Sequence, residues 1–521
     1  MNATRVRDLF GRIGQSARSW RIGLAGDVSS LVGATLIAQA LNVGNILLQV
    51  RLYTPGEVGV FVLVMAAHMI LLTAATLRLE NAIVLGRNRV EGATLSFLSS
   101  LWSCSGAILI GFGLIVAVKV APGLEVRWRG AEWTLPILFL LGGHLLIAQQ
   151  WCARENRLKL VAVSTIVAPV GIIAGQVAFG WLDVPNGLLW GYAVGQAAAV
   201  ATLYRPLASA ILLGWRGRLR LARLLQTLWR YRRFVIYSLP AAIVYNMLPQ
   251  VAPAVIGSML TAAAAGYFGM ALRTTFTPFL LLPSALRQAL YRPLVASLRE
   301  GRIRSWTGPL ELCLLWNGLT QALVIGLLLM VGQDLLVWLL GADWALTGSL
   351  AGLVALGASA QALASTFDRF FDIQGRQRLA LISSAVGVVA FGVTMYLAIR
   401  ATGELTAAVG AWTLVSVLFG AAWIASAYIA LGLTAAPAFR ALALLTGMYS
   451  IIIGAAFLTR SLAQMAGTAL PSIWAVSALG AVGIVLLAVL GLHTRAVLMT
   501  TRRQRDSVDQ DADVALSTKS A

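Results

Sequence analysis

The sequence predicts an all-α polytopic membrane protein of about fourteen transmembrane helices: two six-helix lobes related by a parallel repeat, followed by two C-terminal helices. Three observations carry that prediction. Hydrophobic residues make up 59% of the 521-residue chain and charged residues only 12%, which excludes a soluble domain of ordinary composition. Apolar windows of about 20 residues, the length that crosses a hydrocarbon core, recur between short charged or Gly/Pro-containing breaks. Stretches of the two halves also match each other at fixed offsets. Alternation of the β-barrel kind is absent.

Residues 1–27 set Arg5, Arg7, Arg12, Arg18 and Arg21 between Val6, Leu9, Ile13, Ala17, Trp20 and Leu24, apolar positions recurring every three or four residues. That is the pattern of an amphipathic helix on an anionic membrane surface. The apolar segment that follows is too long for a signal-peptide core and lacks a small-residue cleavage site, so the segment is expected to be retained. Membrane helices are predicted over 28–50, 58–79, 93–118, 133–151, 160–182 and 188–212 in an N-lobe (28–212). The C-lobe (235–431) holds 235–257, 264–286, 308–332, 346–367, 379–399 and 405–431, and a further pair (432–495) holds 437–459 and 472–494. A basic cytoplasmic linker (213–234) joins the lobes, interleaving Arg216, Arg218, Arg220, Arg223, Arg230, Arg232 and Arg233 with Leu219, Leu221, Leu224, Leu225 and Trp229. Residues 496–521 are expected to form a disordered cytoplasmic tail.

With both termini cytoplasmic, the opposite side carries only six of the 40 Lys and Arg residues: Arg51, Lys119, Arg127, Arg129, Arg400 and Arg460. This sidedness follows the positive-inside rule and favours an even number of spans. The net charge of +20 thus punctuates helices and forms no single basic face of the kind that binds nucleic acid. Cys104, Cys152 and Cys313 lie in or beside apolar segments without paired or metal-like spacing and read as packing residues.

The repeat rests on particular matches. Gly59-Val60-Phe61 corresponds to Gly266-Tyr267-Phe268, and Leu79-Glu80-Asn81-Ala82-Ile83 to Leu286-Arg287-Gln288-Ala289-Leu290, both 207 residues apart. The same shift sets Gln39 opposite Asn246. Arg157 through Ser164 corresponds to Arg376 through Ser383 at an offset of 219. Six spans return the chain to its starting side, so the copies are parallel, and such repeats make two lobes with a site between them.

Several residues are candidates for that site. Arg273 lies inside an apolar run over 261–285, where an arginine costs about 3 kcal/mol on insertion scales and by default faces a wet cavity. The alternative is snorkelling, or packing against carbonyls. Its counterpart in the first lobe is Ala66, so this charge belongs to one lobe only. On the first helix Thr35, Gln39, Asn42, Asn45 and Gln49 fall within an arc of about 120°. Such a stripe either lines a polar path or glues helices together by hydrogen bonds. The seventh helix carries Asn246 with Pro240, Pro249 and Pro253, whose missing donors free carbonyls and permit bending. Arg78, at the end of the second helix beside Glu80, is a further substrate-binding candidate, with a topology signal or salt bridge as the alternative. His68 reads as packing more readily than as a proton carrier. Asp368, Arg369 and Asp372 read as a loop-fixing ion-pair set, and Gly171/Gly175 with Gly191/Gly195 as a close helix contact.

A phosphate loop, HExxH and Cys/His spacings are all absent, and so is a long extramembrane loop. No catalytic residue, metal or cofactor is therefore expected. No acid falls near the middle of the first or seventh helix, which disfavours a cation-coupled drug exporter.

The run from Ser30 through Gln49, the segment Arg51-Leu52-Tyr53-Thr54-Pro55-Gly56-Glu57-Val58-Gly59, and Leu77-Arg78-Leu79-Glu80-Asn81-Ala82-Ile83 together resemble the opening of the Wzx-type bacterial polysaccharide exporters of the multidrug/oligosaccharidyl-lipid/polysaccharide (MOP) superfamily. Tyr231-Arg232-Arg233-Phe234, Ser238-Leu239-Pro240 and Gly266 through Pro278 resemble the start of that family's second half. Lipid II flippases of the same superfamily carry a similar cavity-facing arginine five residues before a proline, a spacing that Arg273 and Pro278 keep; where those flippases place an acid before the arginine, this chain has Leu272. The resemblance implies a flippase, not an enzyme, in the bacterial inner membrane, moving undecaprenyl-diphosphate-linked oligosaccharide for O-antigen, capsule or exopolysaccharide synthesis. It implies membrane lipids and the polysaccharide polymerase and chain-length machinery as partners. Arg273 would then attract the diphosphate, and Gln39, Asn42, Asn45, Asn246 and Arg78 would contact substrate. The alternatives are a multidrug exporter of the superfamily and an integral-membrane glycan polymerase or ligase.

Overall fold

The computed structural model describes residues 30, 33–120, 131–216, 221–373, 376–465, 480, 483–488, 490–491 and 493–494. Every regular element among them is helical. Eleven helices are long and apolar enough to cross a membrane, or twelve if Gly187–Thr202 and Tyr204–Trp215, bent by 69°, form one span. Two predicted spans account for the difference from about fourteen. The eighth is the helix Ala262–Phe279, which forms but includes Arg273, three threonines and Pro278 within its 18 residues and so falls short in apolar character. The fourteenth, 472–494, lies largely outside the described residues, as do the N-terminal segment 1–27 and the tail 496–521.

The chain divides into two compact units, Met1–Gln250 and Val251–Ala521. The division falls inside the predicted seventh helix, where the backbone changes type repeatedly. A π turn over Phe234–Ser238 leads into an α-helix, Leu239–Met247, then a 3-10 turn, Leu248–Gln250, and a second α-helix, Val251–Met259. Pro240, Pro249 and Pro253 cannot donate to the helical ladder, so this stretch cannot remain one regular helix.

In the first unit the helices Leu158–Trp181 and Gly187–Thr202 are in backbone contact. A Cβ added at Gly171 would stand 2.9 Å from the Gly195 Cα, and one at Gly175 2.8 Å from the Gly191 Cα. The small-residue spacing thus does what it predicts, letting main chains approach. A core of Leu79, Ile83, Leu95, Ile147, Trp151 and Leu203 packs beneath. The helix Pro55–Ala74 starts at a capping box: Thr54 Oγ1 accepts from the Glu57 N–H, the Glu57 carboxylate accepts from the Thr54 N–H at 2.9 Å, and Pro55 occupies the first turn.

The second unit has its own core around Leu294, Leu310, Leu319, Phe367, Phe371 and Tyr428. Its helix Ala262–Phe279 packs against Ala345–Ser365, and Phe268 meets Trp412 edge-on at 5.3 Å.

The offsets found in the sequence reappear as shared local geometry. Thr261, 207 residues beyond Thr54, also caps a helix, accepting from the Ala264 N–H at 3.0 Å. Arg157 and Arg376, 219 apart, close the same turn. Their N–H groups donate to Cys152 O and Phe371 O at 2.8 and 2.9 Å, and the next helix opens with Leu160 and Leu379 donating back to them.

Candidate functional site

After Ala74 the chain turns sharply, and Leu77 and Arg78 both take left-handed backbone, with φ of 54° and 60°. Neither is glycine, so each costs roughly 1–3 kcal/mol, a strain tolerated only where the surroundings hold it. Here the holding bonds are Leu77 N–H to Ala74 O and Leu79 N–H to Thr76 O, at 3.1 and 3.0 Å. The turn brings the Arg78 guanidinium to 3.5 Å from a carboxylate oxygen of Glu80, whose side chain is only 5% exposed. Glu80 also accepts from the Thr76 hydroxyl and, at 3.3 Å, from the Asn81 amide. Three donors thus gather around one buried carboxyl group, which satisfies its oxygens within the turn.

Across this turn, Asn246 donates to Thr73 Oγ1 at 2.8 Å, and Thr73 donates to Met69 O. Arg78, Glu80, Thr73, Asn246 and Gln250 line one cavity of about 230 Å³ together with Met69, Leu72 and Leu146. Two of the substrate-binding candidates, Arg78 and Asn246, therefore share a site within the first unit. With Arg78 31% exposed, its cation is offered to the cavity, and the amides add donors and acceptors suited to a hydroxyl-bearing anion.

The polar stripe of the first helix, Gly33–Leu52, divides. Asn45 and Gln49 are buried, and both donate at 2.9 Å to Gln176 Oε1 on Leu158–Trp181. Gln176 in turn donates to Leu188 O, and its own carbonyl accepts from the Tyr53 hydroxyl at 2.6 Å. This half of the stripe joins helices. Thr35, Gln39 and Asn42 are exposed.

Arg273 lies in the second unit, half-buried on Ala262–Phe279, one turn beyond the buried Gly269 and Met270. The same unit fixes Asp368, which accepts from Arg287 at 3.3 Å and from the Trp423 indole at 3.1 Å. His68 is buried, edge-on to Tyr192 at 6.2 Å. Each unit also buries an acid near the start of a long helix against an arginine: Glu91 with Arg230 at 2.5 Å, and Glu311 with Arg440 at 2.6 Å.

Thr73, Gln250 and Gln176 are not singled out by sequence reasoning. For Gln176 a signal existed, because it is the one amide side chain in its helix and stands in an apolar run after Thr165. Thr73, from the last turn of Pro55–Ala74, and Gln250, from the 3-10 turn Leu248–Gln250, join the site through tertiary packing that no local pattern announces.

No protein-family model matches the sequence, and no curated protein does. Solved structures do match. The lipid II flippase MurJ in an inward closed conformation is similar with a TM-score of 0.65 and 12% identity, over 90% of this chain and 99% of the flippase. An inward-facing multidrug resistance MATE family transporter of the MOP superfamily is similar at 0.55 and 12%, over 77% of this chain and 94% of that one. The chain has the fold these two transporters share, an all-helical multi-pass membrane fold.

Proposed function

We propose that this protein is a flippase, moving undecaprenyl-diphosphate-linked oligosaccharide across the bacterial inner membrane by alternating access, for synthesis of a surface polysaccharide. The observation that carries the proposal is the extent of the fold likeness: 99% of a protein described as a lipid II flippase finds its counterpart here. The chemistry of the residues agrees. Arg78 supplies a cation beside Asn246 and Gln250, and Arg273 supplies a second cation in the other unit. Diphosphate oxygens pair with such arginines, and amides suit sugar hydroxyls. Gln39 and Asn42 remain exposed for substrate, while Asn45 supports their helix from behind through Gln176.

The MATE likeness favours drug export as the second reading. Against it stands the placement of the acids. Among the described residues the buried carboxylates are Glu80, Glu91 and Glu311, each within 3.5 Å of an arginine. A carboxylate already paired in this way is poorly suited to recruiting a transported cation.

Deletion of the gene distinguishes the readings. Lipid-linked repeat units are expected to accumulate facing the cytoplasm while surface glycan falls. Unchanged surface glycan with raised drug susceptibility would instead support the exporter.

A further inference from the structure

A second cavity in the first unit, about 590 Å³, meets the Arg78 cavity at a single peptide: Leu77 lines one and Arg78 the other. Its walls are the helix Leu221–Arg230 and the π turn Phe234–Ser238, through Leu225, Leu228, Trp229, Arg232 and Ile236. Leu228, Tyr231, Phe234 and Val235 anchor this segment to the core beneath. Leu225, Trp229, Ile236 and Tyr237 nonetheless stay exposed, at 55%, 68%, 54% and 71%.

The arginines at this groove differ in what they do. Arg230 is committed to Glu91 at 2.5 Å. Arg232 stacks its guanidinium over the Trp229 ring, 3.9 Å from the centroid, and Arg233 beside it is exposed. Stacking through the flat face fixes the guanidinium at the mouth of the groove and leaves its N–H edge for an acceptor. The groove is thus apolar inside and cationic at its mouth. Trp229 precedes, and Tyr237 lies in the first turn of, the stretch Phe234–Met259 that is long and apolar enough to cross a membrane, and such aromatic residues favour a membrane interface.

We propose that this groove is a binding site for one anionic phospholipid of the cytoplasmic leaflet, with an acyl chain along Leu225, Leu228 and Ile236 and the phosphate on Arg232 and Arg233. Charge complementarity selects this occupant. An uncharged amphiphile fills the groove but leaves the two arginines unanswered, and a soluble anion answers the arginines but leaves the groove wet. The site adjoins the Arg78 cavity but shares no lining residue with it, and it does not depend on the identity of the cargo.

The test is photolabelling of the full chain in nanodiscs carrying a trace of diazirine-tailed phosphatidylglycerol or, separately, phosphatidylcholine with the same tail. Adducts are mapped by peptide mass spectrometry. Labelling within residues 221–237 is expected to be at least about fivefold stronger with phosphatidylglycerol, the effect of roughly one near-surface arginine, and to fall to the phosphatidylcholine level in Arg232→Gln/Arg233→Gln. Equal labelling by the two lipids overturns the proposal, as does a preference that survives the double substitution. Labelling that emerges only when residues 1–27 are deleted also overturns it, because the chain's own basic N-terminal segment is then the occupant. The lipid comparison uses the unsubstituted chain, so it stands even where the variant fails to fold.

Discussion

Arg78 and Glu80 share a turn but should respond to substitution in different ways. The Glu80 side chain is almost fully buried and gathers Thr76, Arg78 and Asn81. Glu80→Ala strips three donors of their acceptor and is expected to cost about 1–3 kcal/mol, seen as a lower Tm in detergent. Arg78 is more open and faces the cavity. Arg78→Ala takes one of the three donors from Glu80, so it is expected to lower Tm less than Glu80→Ala does, and to slow transport about tenfold or more, the scale of one lost charge-assisted contact. Normal transport by that variant would remove the cavity from the mechanism. Gln176→Leu removes the acceptor that Asn45 and Gln49 share and vacates Leu188 O, so a loss of about 2–3 kcal/mol is expected by thermal melting, with an unchanged Tm counting against a structural role for Gln176. Arg78, Glu80 and Asn246 were legible in the sequence because a charge or amide in apolar surroundings stands out. Their meeting was not, because it depends on left-handed backbone at Leu77 and Arg78, and neither residue type advertises that conformation.

Helices were legible wherever apolar periodicity ran uninterrupted, and their contacts wherever small residues recurred. Gly195 shows the second point. A Cβ there would lie 2.6 Å from Ala168 O and 2.2 Å from Ile172 Cγ1, so Gly195→Leu should destabilise by at least about 1–3 kcal/mol through overpacking. Gly44→Ala serves as the contrast, since nothing lies within 4 Å of that position and helix propensity alone favours alanine by about 0.5–1 kcal/mol. Equal effects of the two substitutions on Tm would contradict the backbone contact. Periodicity identified one polar face on Gly33–Leu52 but could not tell that its C-terminal half is covered by Gln176, because burial is a property of the partner helix. The prolines of the 234–259 stretch announced irregular backbone correctly; the place where the compact unit ends, Gln250, depends on packing that no local pattern encodes.

At the scale of the molecule, the offsets found in a few short matches recur as shared local geometry, in the caps at Thr54 and Thr261 and the turns at Arg157 and Arg376. The all-helical membrane fold was legible because composition leaves little else: in a bilayer every backbone polar group must be satisfied within the protein. The cargo was not legible in the same way, since recognition rests on a handful of side chains and folds of this kind are shared by transporters of different substrates. The cargo is therefore what transport has to be measured on. Purified protein in liposomes is given a fluorescently tagged undecaprenyl-diphosphate oligosaccharide in the outer leaflet, and loss of its accessibility to a membrane-impermeant quencher is followed over time. Protein-dependent translocation is expected, slowed about tenfold or more by Arg273→Ala and by Arg78→Ala, with a tagged phosphatidylcholine left in place. Translocation no faster than in protein-free liposomes, by protein whose Tm shows it folded, would contradict the account.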